Sequence, residues 1–275
     1  MKIGIISDIH GNKKALDAVL KQLEKENIDK IICLGDLIGG APRSEEVVQK
    51  IISMEDRIIT VRGNREKYII EGMPKVVHDE KIKVSDEQLQ RNEWLKKGLS
   101  DSSLEFMTKL PKEIIYETEG KKIYIAHYPM NKDGSFRKHI KRASVEENEI
   151  IFNGIAADIY LYGHTHKEVY NFKNSKTYIN PGALGCPGKT NYAPYGILNV
   201  NKNKVEYNQL YVEYNVKKVI DCIRKVKFPG YTSVLKFPRS TSNICLCVHP
   251  FSIGALIVSW YIKLWVSLIF IASCS

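Results

Sequence analysis

Five apolar runs in this chain each end in side chains that can donate oxygen or nitrogen to a cation. KIGIIS leads into Asp8 and His10, IICLG into Asp36, and IITVRG into Asn64. KIYIA leads into His127, and DIYLYG leads into His164 and His166. Mixed imidazole and carboxylate shells suit borderline divalent metals such as zinc, manganese and iron. Seven donors exceed the four of a structural zinc site, and the set contains no Cys. With one Asp shared, seven donors supply four to each of two ions and leave room for water and a substrate oxygen. That is the layout of a two-metal hydrolytic centre, with ions roughly 3.5–4 Å apart clamping an in-line displacement at phosphorus.

Such convergence requires the five runs to be neighbouring strands. In the first half, KIGIIS (2–7), IICLGD (31–36) and RIITVRGN (57–64) read as strands. Between them lie a segment with Leu16, Val19, Leu20 and Leu23 at helical spacing and a Pro42-initiated helix carrying Val47, Val48, Ile51 and Ile52. Alternation of this kind predicts parallel βαβ units, whose ligands bind at the carboxyl ends of the strands. Residues 67–112 break the rhythm and predict a helical insertion, with a capping box at Ser85 and Gln88 and a stop at Gly98. Strands return at 121–128, 158–164, 168–172, 176–180, 193–200 and 204–212, with turn residues that predict antiparallel hairpins. A closing amphipathic helix is expected at 215–226.

A chain of 275 residues can bury a large core, and its apolar fraction of 44% is ordinary for a globular protein. No signal peptide opens the sequence and the six Cys are scattered, which points to a reducing cytoplasm. The net charge of +10 raises nucleic-acid binding as a question. No acidic residue follows Asp221, however, and six basic ones do, so residues 1–221 carry only +4. That excludes a strong electrostatic footprint for nucleic acid. From Lys236 the composition changes. FSIGALIVSWYIKLWVSLIFIA (251–272) is long enough to span a bilayer and holds one charge, Lys263. Its aliphatic and Phe side chains contribute about −5 kcal/mol towards insertion, against roughly +3 for a central Lys. Residues 1–235 are therefore expected to form the domain, and 236–275 a tail. The tail reads either as an extension foreign to the domain, the preferred reading, or as an anchor that leaves the domain cytoplasmic.

SDIHG, GDLIGG, RGN, AHY and YGHTH, in that order, resemble the calcineurin-like metallophosphoesterase superfamily over residues 1 to about 212. Its small prokaryotic branch, with bacterial phosphodiesterases and diadenosine-tetraphosphatase-like enzymes, is the most similar. The resemblance implies a four-layer αββα sandwich of two mixed sheets. It implies that Asp8, His10 and His166 hold one divalent ion, that Asn64, His127 and His164 hold the other, and that Asp36 bridges them. The ions would be manganese, zinc, iron or nickel. The implied reaction is hydrolysis of a small phosphorylated substrate, a phosphodiester or nucleotide, by a hydroxide bridging the metals. A protein phosphatase, or a binding protein that kept the fold and lost catalysis, is the alternative.

One departure bears on catalysis. The superfamily places a His after Gly-Asn, where this chain has Arg65. A guanidinium stays protonated above pH 12 and cannot act as a general acid, but it can hydrogen-bond phosphoryl oxygens and offset their charge. Arg65 is therefore expected to act in catalysis beside Asp36 and Asn64, favouring good leaving groups. Arg62, and Asn180 and Gly182 of the INPGALGCPG segment, are lesser candidates for contact with substrate. His78, His139 and His249 are expected to be solvated, and Cys33 to be a core residue.

Overall fold

A computed structural model describes residues 1–74, 76–77, 82–186 and 191–236. Strand β1 (Lys2–Ile6) shows how the layers arise. Its residues alternate between two faces. Ile3 and Ile5 enter one apolar cluster, and Ile6 enters another. Gly4 shares the Ile6 face, and a Cβ there would meet Leu23 at 2.9 Å, so its bareness lets helix α1 (Lys13–Lys25) lie close to the sheet. Strand β2 (Lys30–Cys33) repeats the pattern, with Ile32 facing one way and Ile31 and Cys33 the other.

The first sheet has the order β12-β11-β1-β2-β3. Strands β1, β2 and β3 (Ile58–Thr60) run parallel, and the hairpin of β11 (Tyr192–Val200) and β12 (Val205–Glu213) joins β1 antiparallel. The second sheet has the order β6-β7-β8-β10-β9. It comprises β6 (Glu113–Thr118), β7 (Lys121–Ala126), β8 (Ile159–Leu161), β9 (Val169–Lys173) and β10 (Lys176–Asn180). Strands β7, β8 and β10 are mutually parallel, whereas β6 and β9 pair antiparallel at the edges. Ile3, Ile5, Ile32, Ile123, Ile125, Ile159, Leu161, Ile179 and Leu198 fill the space between the sheets. Helices α1, α2 (Ser44–Ile52) and α7 (Val216–Val226) cover the outer face of the first sheet. Short helix α6 (Val145–Ile151) and an aromatic layer of Tyr124, Phe152, Tyr160, Tyr162 and Tyr178 cover the second. The expected αββα sandwich of two mixed sheets is therefore present.

The insertion differs in detail from expectation. Helix α3 spans Asn64–Ile70, so helical structure begins at Asn64 itself rather than at 67. A short hairpin of β4 (Val76–Val77) and β5 (Ile82–Lys83) follows. Helices α4 (Asp86–Lys97) and α5 (Asp101–Lys109) then pack beside α3 and α2. Strand β6 and helix α6 lie where no element was expected, and α8 (Tyr231–Lys236) follows the anticipated closing helix. Among the described residues, no helix is long and apolar enough to cross a membrane. His78, His249 and the 251–272 stretch lie outside the described residues.

Candidate metal centre

The turns after β1, β2, β3, β7 and β8 bring all seven expected donors together, six of them in two triplets and Asp36 between. In the first, His166 Nε2 lies 3.1 Å from both Asp8 Oδ1 and His10 Nε2. In the second, Asn64 Oδ1 lies 2.9 Å from His164 Nδ1 and 3.0 Å from His127 Nε2. The Asp36 carboxylate stands between them, with Oδ2 3.8 Å from His10 Nε2 and Oδ1 3.6 Å from His127 Nε2.

The backbone accepts strain to achieve this. Asp8, His10, Asp36, His164 and His166 have φ between 49° and 64°, the left-handed region that costs non-glycine residues of order 1 kcal/mol or more. Surrounding hydrogen bonds hold them there. The backbone N–H groups of Asp8 and His10 donate to the carbonyls of Gly35 and Asp36, and that of Gly163 donates to the His127 carbonyl.

The protonation pattern suits cation binding. His127 Nδ1 lies 2.7 Å from the Leu34 carbonyl and His10 Nδ1 lies 3.2 Å from that of Ile38. A carbonyl only accepts, so in each ring Nδ1 carries the proton and Nε2 offers its lone pair to the cluster. Burial holds His10 and His127 below the usual imidazole range, and His164 well below it, with His127 and His139 adding to the effect at His164. Burial would raise the Asp8 carboxyl, but the neighbouring imidazoles, His166 foremost and then His10 and His127, outweigh it and hold the group well below the carboxylate range. Burial raises Asp36, with the His10 charge opposing. Asp8 Oδ2 accepts from Ser7 Oγ at 2.6 Å and from the His164 N–H at 3.1 Å. Asp8 Oδ1 is buried and accepts no well-aligned hydrogen bond, although His166 Nε2 is close. A buried, orphaned carboxylate oxygen aimed into a group of lone pairs fits a divalent cation.

Residues 1–203 match the model of the calcineurin-like phosphoesterase superfamily domain. The chain belongs to that superfamily. Two relatives come from Methanocaldococcus jannaschii. MJ0912 is 29% identical over 83% of this chain and 94% of its own, and phosphodiesterase MJ0936 is 25% identical over 78% and 100%. The structure of PH1004 from Pyrococcus horikoshii OT3 superposes with a TM-score of 0.72 at 20% identity, covering 85% of this chain and 97% of that one, which shows the shared fold. The protein is thus a metal-dependent phosphoesterase, and its substrate is a phosphoester.

The phosphoesterase's remaining candidates are placed as follows. The Arg65 N–H donates to Asp36 Oδ1 at 2.8 Å, and the buried Arg65 Nε has no hydrogen-bond partner. The Arg62 guanidinium is 3.9 Å from the Glu71 carboxylate, and the Arg62 backbone N–H donates to the Pro111 carbonyl. Asn180 is fully buried and donates to the Gly163 carbonyl and Thr165 Oγ1, while accepting from the Gly182 N–H. It braces the turn that carries His164 and His166. Gly182 has φ 82°, and a Cβ there would meet Glu168 at 3.0 Å.

Three neighbours were not anticipated. His139, expected in solvent, has its ring 5.0 Å from that of His164, because the loop after β7 folds back over the second triplet together with Phe136. Cys186 Sγ falls within 4.8 Å of the His10 and His166 ligand atoms. Glu66 is fully buried beside Asp36, and burial, reinforced by the Asp36 charge, pushes its carboxyl up to about 7. A sequence signal for Glu66 existed, since a Glu at the third helical position commonly reaches back to the cap.

Proposed function

We propose that this phosphoesterase hydrolyses phosphodiester or nucleotide-type substrates with two divalent ions. Asp8, His10 and His166 would hold one, Asn64, His127 and His164 would hold the other, and Asp36, between the two triplets, would serve both. The observation that carries this reading is the pair of donor triplets on either side of a single carboxylate. Manganese, zinc, iron and nickel all suit the donor types. When bound, the ions supply Lewis acidity and lower the pKa of water towards neutrality.

The chain's own groups do the rest. The Leu34 and Ile38 carbonyls fix the tautomers of His127 and His10, so both present a lone pair without reorganisation. Substrate enters on the side of His166, whose side chain retains 13% exposure while those of Asp8, His10, Asp36 and His127 retain at most 1%. That near-complete burial keeps bulk water from screening the charge that develops on phosphorus. The guanidinium of Arg65, a residue whose backbone N–H donates to Asp36 Oδ1, steadies phosphoryl oxygens as that charge grows. It donates no proton at neutral pH, so substrates with good leaving groups are favoured. Asn180 and Gly182 act by bracing, and Arg62 supports the rim through Glu71. The catalytic unit is residues 1–235, since Val219, Ile223, Phe228 and Val234 complete the helical layer over the first sheet.

The test is metal analysis of the gently purified protein, followed by hydrolysis of bis-p-nitrophenyl phosphate and of nucleotides with added Mn²⁺. Two ions per chain and diester hydrolysis abolished by Asp36→Ala support the reading. A fully active protein with one ion, or a loaded protein inert on every phosphoester, overturns it.

A further inference from the structure

We infer that Glu66 is a positioning residue that sets the second metal subsite, around Asn64, against the shared Asp36. The inference rests on the two-ion reading above. Glu66 is 0% exposed, and its two oxygens accept from the backbone N–H groups of two different loops. Oε2 accepts from Gly63 at 2.8 Å and Asp36 at 3.0 Å, and Oε1 accepts from Leu37 at 2.8 Å and Ile38 at 3.4 Å. The first loop follows β3 and carries Asn64. The second follows β2 and carries Asp36.

These loops leave adjacent parallel strands, whose last backbone bond here runs from the Val61 N–H to the Cys33 carbonyl at 3.1 Å. Beyond it, the Glu66 carboxylate holds four N–H groups of the two loops, beside one further tie from the Arg65 backbone N–H to Asp36 Oδ1. Buried N–H groups left without an acceptor would cost about as much as lost hydrogen bonds, so this carboxylate fixes both loops at once. Packing around it is tight, since a Cβ on Gly63 would lie 2.9 Å from Glu66 Oε2.

The first subsite is anchored differently. The loop bearing Asp36 presents its carbonyls to the turn after β1, where the N–H groups of His10 and Gly11 donate to Asp36 and Leu37 at 2.9 Å and 2.8 Å. Asp8 and His10 make no bond to Glu66 themselves, and Asp8 has further anchors in the N–H groups of Gly185 and His164, whereas Gly63, beside Asn64, and Asp36 both donate to it directly. Loss of the carboxylate weakens one subsite selectively.

Glu66→Gln in the full chain separates the possibilities. The amide keeps nearly the same shape but replaces one accepting oxygen by a donor that faces N–H groups. Mn²⁺ titration by calorimetry, with metal counting, is expected to show one ion retained at near wild-type affinity and the second weakened about 10–100-fold. In the metal-free protein, amide exchange at Asp36, Leu37 and Gly63 is expected to quicken, and kcat to fall with little change in KM. Ile69→Val on the same helix costs about 0.5–1.5 kcal/mol of stability and must leave two ions bound. Should the glutamine variant fail to fold, Glu66→Asp serves instead. It keeps the charge, is one methylene too short to reach both loops, and is expected to lose the second ion as well. Two ions in wild type and two equally tight in the variant overturn the inference alone, as does equal weakening of both. A single ion in wild type overturns the two-ion reading and the inference together.

Discussion

Replacing Gly63 by alanine places one methyl group where the centre has no room for it. Gly63 has φ −88° and ψ −178°, an ordinary extended conformation, so backbone freedom does not explain the glycine. Space does. An added Cβ would sit 2.9 Å from Glu66 Oε2, with Asp36 Oδ1 and the Asp36 backbone nitrogen closer still. Ordinary contact begins at 3.4 Å, so Glu66 must yield by 0.5 Å, the difference of the two distances. Asp36 must yield by more, and because a backbone atom is involved, rotating a side chain cannot relieve it. A misplacement of about 1 Å at a reacting centre costs on the order of 100-fold in rate. Overpacking a dense interior costs about 1–3 kcal/mol of stability, which is roughly 2–12 °C in melting temperature for a domain of this size. The assay is kcat on a p-nitrophenyl diester with saturating Mn²⁺, alongside thermal unfolding of the metal-free chain. Gly163→Ala offers a comparison, because Asp8 Oδ2 lies 2.7 Å from its Cβ but the closest atom belongs to the Ser7 side chain, which can rotate away. The alanine at 63 should be the worse of the two. Activity within threefold of wild type at 63, or a larger loss at 163, refutes the steric reasoning.

Chelation should abolish hydrolysis and lower the melting temperature. Each ion present at 100 times its Kd adds about 2.7 kcal/mol, or roughly 5–11 °C at this size. An unchanged melting curve after metal removal, verified by metal counting, speaks against the centre. Arg65→His should raise the rate on simple alkyl diesters relative to p-nitrophenyl diesters by about 10-fold or more, since general acid catalysis is worth ~10²–10⁴ for poor leaving groups. A constant ratio of the two rates rejects the role given to Arg65. Asn180→Ala leaves the buried Gly163 carbonyl and Gly182 N–H without their present partner. It should destabilise the metal-free protein by about 2–6 kcal/mol in urea unfolding, at about 1–3 kcal/mol for each of the two orphaned groups. A change under about 1 kcal/mol means that the brace does not matter.

The features legible in the sequence are those repeated along it. Apolar runs such as Lys2–Ile6 and the polar residues at their ends announced both the sheets and the seven donors. Strand β6 escaped notice because EIIYET sits at a sheet edge, where Ile115 is 49% exposed, so its alternation is blurred. Helix α6 is only seven residues long, and its capping box of Ser144 and Glu147 was a signal that went unread. His139 was hidden for another reason, and Glu66 showed only its helix-start signal, which does not reveal its place beneath Asp36. RGNREKY and FRKHI are charged stretches that composition places in solvent, and only tertiary packing brings one beneath Asp36 and the other against His164. Cys186 sits in a turn-rich segment whose spacing says nothing of its approach to His10 and His166.

Neither sheet owns a complete ligand set. Asp8, His10, Asp36 and Asn64 come from the first, and His127, His164 and His166 from the second. Each triplet draws on both. A nascent polypeptide therefore has no site to offer until synthesis has passed residue 166 and the two halves have docked. Under the proposed two-ion reading, cation capture comes late in this protein's biogenesis and reports that the halves have met.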